Sequence, residues 1–168
     1  MATVNSIIYS DKYFEERGSI YTIYDDKDPE LQSVRFVQDK ISKSFRGVVR
    51  GFHGDSSTWK LITCLHGVVL LITYDVLTDK KNRYVLDGNS KQSVSVLVPP
   101  NTLNAHQCLT EDCIFHYKWS EYYTSPEDQW SVNYNDKEIN PQWKNPVTIV
   151  SDRDTQSGTL QELREKIK

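Results

Sequence analysis

GVVRGFHGDSSTWKLITCLHG, residues 47–67, sets two short apolar segments, Val48–Val49 and Leu61–Leu65, on either side of a polar piece that carries Arg50, His53, Asp55 and Lys60. Apolar runs this short, bounded by glycine and turn formers, read as β-strands joined hairpin fashion. Within the eleven residues from Arg50 to Lys60 the chain also places a guanidinium, an imidazole and an ammonium. These types bind anions and move protons. A plain hairpin with its polar groups in water fits the local sequence as well, because charged strand faces are common and surface ion pairs are weak. His53 favours a site, since it lies between Gly51 and Gly54, where backbone passes close to a ligand, and imidazole changes charge near neutral pH.

Outward from this piece the strand pattern continues in both directions. Val34–Ser44 alternates well enough for a strand, and RYVLDG (83–88), VSVLV (94–98) and CIFHYK (113–118) follow the long apolar run through VVLLITYDV. Pro99–Pro100 stops the strand before it. Ile7–Ile23 reads as two short strands about a turn at Arg17–Gly18, and Asp25–Gln32 as a loop with at most one helical turn at Pro29. Thr159–Ile167 has Leu160, Leu163 and Ile167 at helical spacing and is the one good helix candidate.

Eight or more short strands, with no internal repeat and no Gly/Ser linker across 168 residues, predict a single domain spanning 1–168. Its fold class is all-β, a double-sheet jelly roll with a short C-terminal helix. An immunoglobulin sandwich would want a Cys…Trp…Cys framework that is lacking here. Such a roll has an open mouth, the natural place for converging polar groups.

Formal net charge is -3 and no Lys/Arg run exceeds two residues, so nothing favours nucleic acid or a membrane surface as partner. A small molecule is the expected ligand. Cys64, Cys108 and Cys113 have no CxxC spacing, and the start MATVNSIIYSDKYF has no basic segment followed by a long apolar one. Those features point to a reducing cytoplasm. The run around Val68–Ile72 is far shorter than a membrane span.

The order of motifs resembles the nucleotide-sugar epimerases of the cupin class, the dTDP-4-keto-rhamnose 3,5-epimerase family. It runs through Glu16-Arg17-Gly18, FVQDKISKS (36–44), VVRGFHGD (48–55), WKLITCLHG (59–67), VPPNTLNAH (98–106), HYK (116–118), EYYTSP (121–126), YNDKEINPQW (134–143) and VSDRD (150–154). The resemblance implies a cupin jelly roll, no cofactor, and a nucleotide-diphosphate sugar as substrate. It implies His53 as the general base, Asp154 as the carboxylate orienting it, with Asp152 as the spare, and Tyr117 as the acid on the opposite face. Lys60 would hold the enolate oxygen, and Arg17 and Arg50 would meet diphosphate and sugar. Gln38, His106 and Tyr123 would line the site, Tyr123 as a stacking platform, with Tyr122 in its place if the strand pairs one residue out of register. Asp136 and Trp143 read as structural, a turn and a packed aromatic. A homodimer is implied, the region around Arg17 reaching across to the partner's site.

Several departures from the family pattern resemble the branch acting on GDP-linked 4-keto-heptoses. Gly54-Asp55 follows the histidine, Lys40 replaces a common asparagine, and the loop before His106 is two residues longer. Two other functions fit parts of the sequence. A non-catalytic sugar-nucleotide binder needs Arg17 and Arg50 but no base and acid, and a metal cupin would use His53, Asp55 and His106, although no H-x-H pair precedes them.

Overall fold

The computed structural model describes residues 5–168. Its strands are β1 (Ser6–Asp11), β2 (Tyr13–Glu15), β3 (Gly18–Ile20), β4 (Gln38–Phe45), β5 (Val49–Gly54), β6 (Lys60–His66), β7 (Val68–Asp75), β8 (Lys81–Asp87), β9 (Gln92–Val98), β10 (Thr102–Cys108), β11 (Asp112–Trp119) and β12 (Trp130–Ser131). Two short helices follow, α1 (Asp152–Gln156) and α2 (Leu160–Lys166). Two antiparallel five-stranded sheets, β1-β9-β6-β11-β4 and β12-β5-β10-β7-β8, make the expected jelly roll, and β2-β3 is a separate hairpin. The long apolar run divides at Gly67, whose φ is +72° and whose pro-Cβ position is blocked by the Asp112 carbonyl. Only glycine turns the chain there.

Strands β6 and β7 are buried on both faces, which is why they read as continuous apolar runs without alternation. Between the sheets lie Ile62, Val69, Leu71, Val96, Val98 and Phe115. The outer face of the β5-containing sheet carries Phe52, Leu70, Ile72, Leu103 and Ala105. That face is covered by the chain after β12, through Val132, Ile139, Leu160 and Leu163. Burial of four such side chains is worth roughly 1.5–3 kcal/mol each.

This C-terminal strap is fixed at both ends. Val132 and Phe52 exchange backbone hydrogen bonds at 3.1 and 3.3 Å. The buried Asp136 carboxylate accepts from the N–H groups of Glu138 and Ile139 at 2.9 Å and from Leu160 at 3.0 Å, so one side chain ties a turn to the start of α2. Thr159 and Glu162 form a capping box there. Trp143 packs on Phe52 with ring centroids 6.1 Å apart, the packed aromatic expected of it.

Some boundaries differ from the sequence reading. The N-terminal region makes three strands, and residues 34–37 precede the strand that begins at Gln38. Thr102–Cys108 forms a central strand although its sequence, TLNAHQC, has little β-branched or aromatic content. No helix of the described residues is long and apolar enough to cross a membrane.

Candidate active site

A cavity of about 500 Å³ opens between the sheets at one end of the roll. Strand β5 supplies Arg50 and His53 to it. Residues three apart on a regular strand point to opposite faces. The pairing with β10 shows how both reach one side: Asn104 is opposite His53 and His106 opposite Arg50, so three steps on β5 face two on β10. That extra residue is a bulge, and it leaves Phe52 pointing to the outer core. Gly51 within it has φ +109°, and a Cβ there would sit 2.7 Å from Ala105 Cα and against the Asn104 carbonyl. Glycine is therefore required for the close approach of β5 to β10.

His53 Nε2 lies 2.6 Å from Asp154 Oδ1. Asp154 is buried in α1, whose N-cap Ser151 accepts from the Asp154 N–H, and its second oxygen accepts from Gly51 N–H at 3.1 Å. Burial pulls the His53 pKa below the usual imidazole value, the Asp154 carboxylate opposing this and the Arg153 and Lys60 charges adding to it. Burial raises the Asp154 pKa, but the bonds from His53, Gly51 and Ser151 outweigh it and hold the group below the usual range. The pair at neutral pH is thus a neutral imidazole donating Nε2–H to a carboxylate, its other nitrogen left free to accept a proton.

Lys60, first residue of β6, is buried, and its ammonium donates to Asn104 Oδ1 at 2.9 Å and to the His53 carbonyl at 3.5 Å. Burial pushes its pKa down to about 8, with Asp55 raising it and Lys40 and Arg153 lowering it. Tyr117 on β11 faces the same cavity in a row with Phe115 and Trp119, at centroid distances of 5.5 and 5.8 Å. Its phenol pKa is raised, mainly by burial, so the hydroxyl keeps its proton. His106 stacks on Phe115 at 3.8 Å, is pushed down to about 3 by burial, and leaves Nε2 buried without a partner.

The remaining expected residues fall in three groups. Arg50 lines the cavity with Nε donating to Ser44 Oγ at 2.9 Å, and Tyr123 lines it while the exposed Tyr122 does not. Gln38 is not at the cavity wall; its Oε1 accepts from Tyr123 N–H at 3.0 Å, so it positions the tyrosine. Arg17 lies outside this chain's cavity, at the exposed β2-β3 turn, paired with Glu15 at 2.5 Å. Asp152 also stays outside the cavity wall.

Asn104, Trp119, Arg153 and Lys40 are among the lining residues that sequence reasoning did not assign to the site. Asn104 has no sequence signal of its own, because TLNAHQC lacks the pattern of a strand. Asp55 accepts from the N–H groups of Ser57 and Thr58 at 2.9 and 2.6 Å and does not join His53 and His106. Among the described residues no three His, Cys, Asp or Glu side chains converge as a metal site would need.

A family model described as dTDP-4-dehydrorhamnose 3,5-epimerase matches residues 5–162. The dTDP-4-dehydrorhamnose 3,5-epimerase of Escherichia coli is 31% identical over 141 residues, 77% of this chain and 74% of that protein. Among solved structures, the enzyme of that name from Elizabethkingia anophelis is 31% identical with a TM-score of 0.82, over 95% of this chain and 93% of its own. The dTDP-6-deoxy-D-glucose-3,5-epimerase of Legionella pneumophila, solved in complex with dTDP-4-keto-L-rhamnose, is 26% identical with a TM-score of 0.87, over 99% of this chain and 94% of its own.

Proposed function

The chain belongs to the dTDP-4-dehydrorhamnose 3,5-epimerase family and is an isomerase, and from that premise we propose that it inverts C3, C5 or both in a nucleotide-activated 4-keto sugar. The observation that carries the mechanism is His53, held by Asp154 at 2.6 Å, in one cavity with Lys60 and Tyr117. His53 takes the proton from the carbon beside the C4 carbonyl. The C–H electron pair moves into that carbonyl to give an enolate, whose oxygen the Lys60 ammonium stabilises. Tyr117 returns a proton to the carbon from the other face, and solvent exchange resets both groups. Nothing is oxidised or reduced, so this chemistry calls for no cofactor.

Orientation of the imidazole by a buried carboxylate serves a base and is wasted on a passive binder, which argues for the enzyme over a sugar-nucleotide binding cupin. As substrate, a dTDP-4-keto-6-deoxyhexose fits the names of the relatives, and a GDP-4-keto-heptose fits Lys40, Gly54 and Asp55. Incubation of the protein with each sugar nucleotide in deuterated water tests both choices: deuterium entering C3 or C5 of one of them is the expected result. Absence of exchange with every 4-keto substrate refutes the epimerase reading.

We further propose a homodimer of single-domain chains working in the cytoplasm. Tyr13, Phe14 and Ile20 are exposed on the hairpin that bears Arg17, which suits a segment serving the partner's cavity. Mixing an Arg17→Ala with a His53→Ala variant should then restore part of the activity. No recovery on mixing would refute the shared site.

A further inference from the structure

We propose that Lys40 is a mobile anion ligand, its ammonium resting on the Tyr123 ring and moving onto a diphosphate oxygen when the substrate binds, which uncovers that ring for a nucleobase. This rests on the reading of the cavity as a nucleoside-diphosphate-sugar site and adds a residue and a motion to it.

Four cations line the cavity: Lys40, Arg50, Lys60 and Arg153. Three of them are held by protein oxygens. Arg50 donates to Ser44 Oγ and the Lys43 carbonyl, Lys60 to Asn104 and the His53 carbonyl, and Arg153 to Ser131 Oγ and the Pro126 carbonyl. Lys40 alone of the four has no oxygen acceptor or carboxylate among the described residues. Its ammonium lies 3.2 Å from the centroid of Tyr123 and 4.9 Å from that of Trp119. Asp154, the one carboxylate at the cavity wall, is already bonded to His53 and Gly51.

Magnitudes decide which partner the ammonium takes. A cation over an aromatic face is held weakly, whereas a charge-assisted hydrogen bond is about twice as strong as a neutral one, and a diphosphate offers several such acceptors. The flexible four-carbon stem of lysine permits the transfer. At 3.2 Å the ammonium occupies one face of the ring, so a base cannot stack on that face until it leaves. Register places Lys40 opposite Tyr117 on β11, so the moving charge starts beside the proposed acid. Departure of Lys40 would also remove one of the charges that lower the Lys60 pKa, so substrate binding would keep Lys60 protonated.

The test is titration of the native, Lys40→Met and Lys40→Arg proteins with dTDP and GDP, and with thymidine and guanosine, at low and high salt. The methionine variant should bind the better of the two diphosphates about tenfold more weakly at low salt. Its affinity should depend less on salt, arginine should recover most of the loss, and nucleoside affinity should hold or improve. Lys40→Gln supplies the same comparison should methionine impair folding. Equal diphosphate affinity in native and methionine proteins overturns the proposal while leaving the epimerase reading intact. An equal loss for nucleosides and diphosphates also overturns it, since Lys40 would then only brace Tyr123. A native protein that binds neither diphosphate overturns both.

Discussion

Replacing Asp154 by asparagine preserves the shape of the side chain and alters the proton arrangement at His53. In the native site two carboxylate oxygens serve two donors, His53 Nε2–H at 2.6 Å and Gly51 N–H at 3.1 Å. An amide has only one oxygen. Turned toward His53, it would set its NH2 against the Gly51 N–H and leave buried donors unmatched, at a cost of about 1–3 kcal/mol. Turned toward Gly51, it presents NH2 to Nε2, which must then accept. The second arrangement wins, and the ring proton moves to Nδ1, the nitrogen that should take the substrate's proton. The charge that stabilises the imidazolium is lost too. Wrong-tautomer substitution in a histidine–carboxylate pair costs about ten-thousandfold in kcat in serine proteases, and here we expect a loss of about a thousand- to ten-thousandfold with KM little changed. Deuterium incorporation into the sugar, followed by mass spectrometry, reads the base step directly. A pH profile supplies a second readout. On the proposed mechanism the base works as neutral imidazole, so activity should fall as pH drops through its pKa, which burial holds below the usual imidazole value. Asp154 opposes that lowering, so its removal should carry the acid limb to still lower pH. Exchange within tenfold of native, or an acid limb that moves upward, would refute the reasoning.

Other substitutions probe the remaining parts. Tyr117→Phe keeps the ring packing and removes one hydroxyl, so proton exchange should outpace inversion of configuration; equal rates would make Tyr117 a wall of the cavity. The alkaline limb of kcat/KM should fall near pH 8, where Lys60 loses the proton that makes it an oxyanion partner, and Lys60→Met should abolish that limb together with most of the rate. His106 is neutral in the folded protein down to about pH 3 but takes a proton at about 6.5 when unfolded. The unfolded state binds the extra proton between those values, so stability should fall with falling pH by up to about 1.4 kcal/mol per unit, and denaturant titrations of His106→Phe should show that slope removed. Gly51→Ala sets a methyl group against the backbone of Asn104 and Ala105 at a positive φ and should destabilise the fold by on the order of 3 kcal/mol in the same assay.

The strands, the two-sheet roll and the α2 helix were legible because burial leaves a period in the sequence: Leu160 and Leu163 face the core as their spacing requires. The hairpin expected for residues 47–67 does not form: β5 and β6 belong to opposite sheets, and His53 and Lys60 meet across the cavity, the ammonium 3.5 Å from the His53 carbonyl. What the period does not carry is a change of register. Arg50 and His53 share a face only through the bulge at Gly51, and a bulge shows no periodic signal. Asn104 and His106 carry no strand signal because β10, in the middle of its sheet, turns polar side chains to the cavity and has few β-branched residues, while Leu103 and Ala105 face the strap. Asp154 was reached through resemblance to a family and not through local pattern, since a five-residue helix is too short to show one and VSDRD alone reads as a surface turn. Arg17 stands apart for another reason: its proposed task concerns a second chain.

The strap that closes over the outer sheet face gives the enzyme a built-in order of maturation. Every strand of both sheets leaves the ribosome before Asp154 does. A nascent chain is thus able to assemble its roll, with His53 in place, while the imidazole still lacks the carboxylate that orients it. On the proposed mechanism, catalysis waits for Asp154. On that mechanism a chain cut short after β12 would lose activity with Asp154, and it would also bare Phe52, Leu103 and Ala105, which the missing segment covers. Exposed apolar surface of that kind is what chaperones and proteases recognise. One truncation would thus remove the carboxylate of the proposed base and expose an apolar sheet face together.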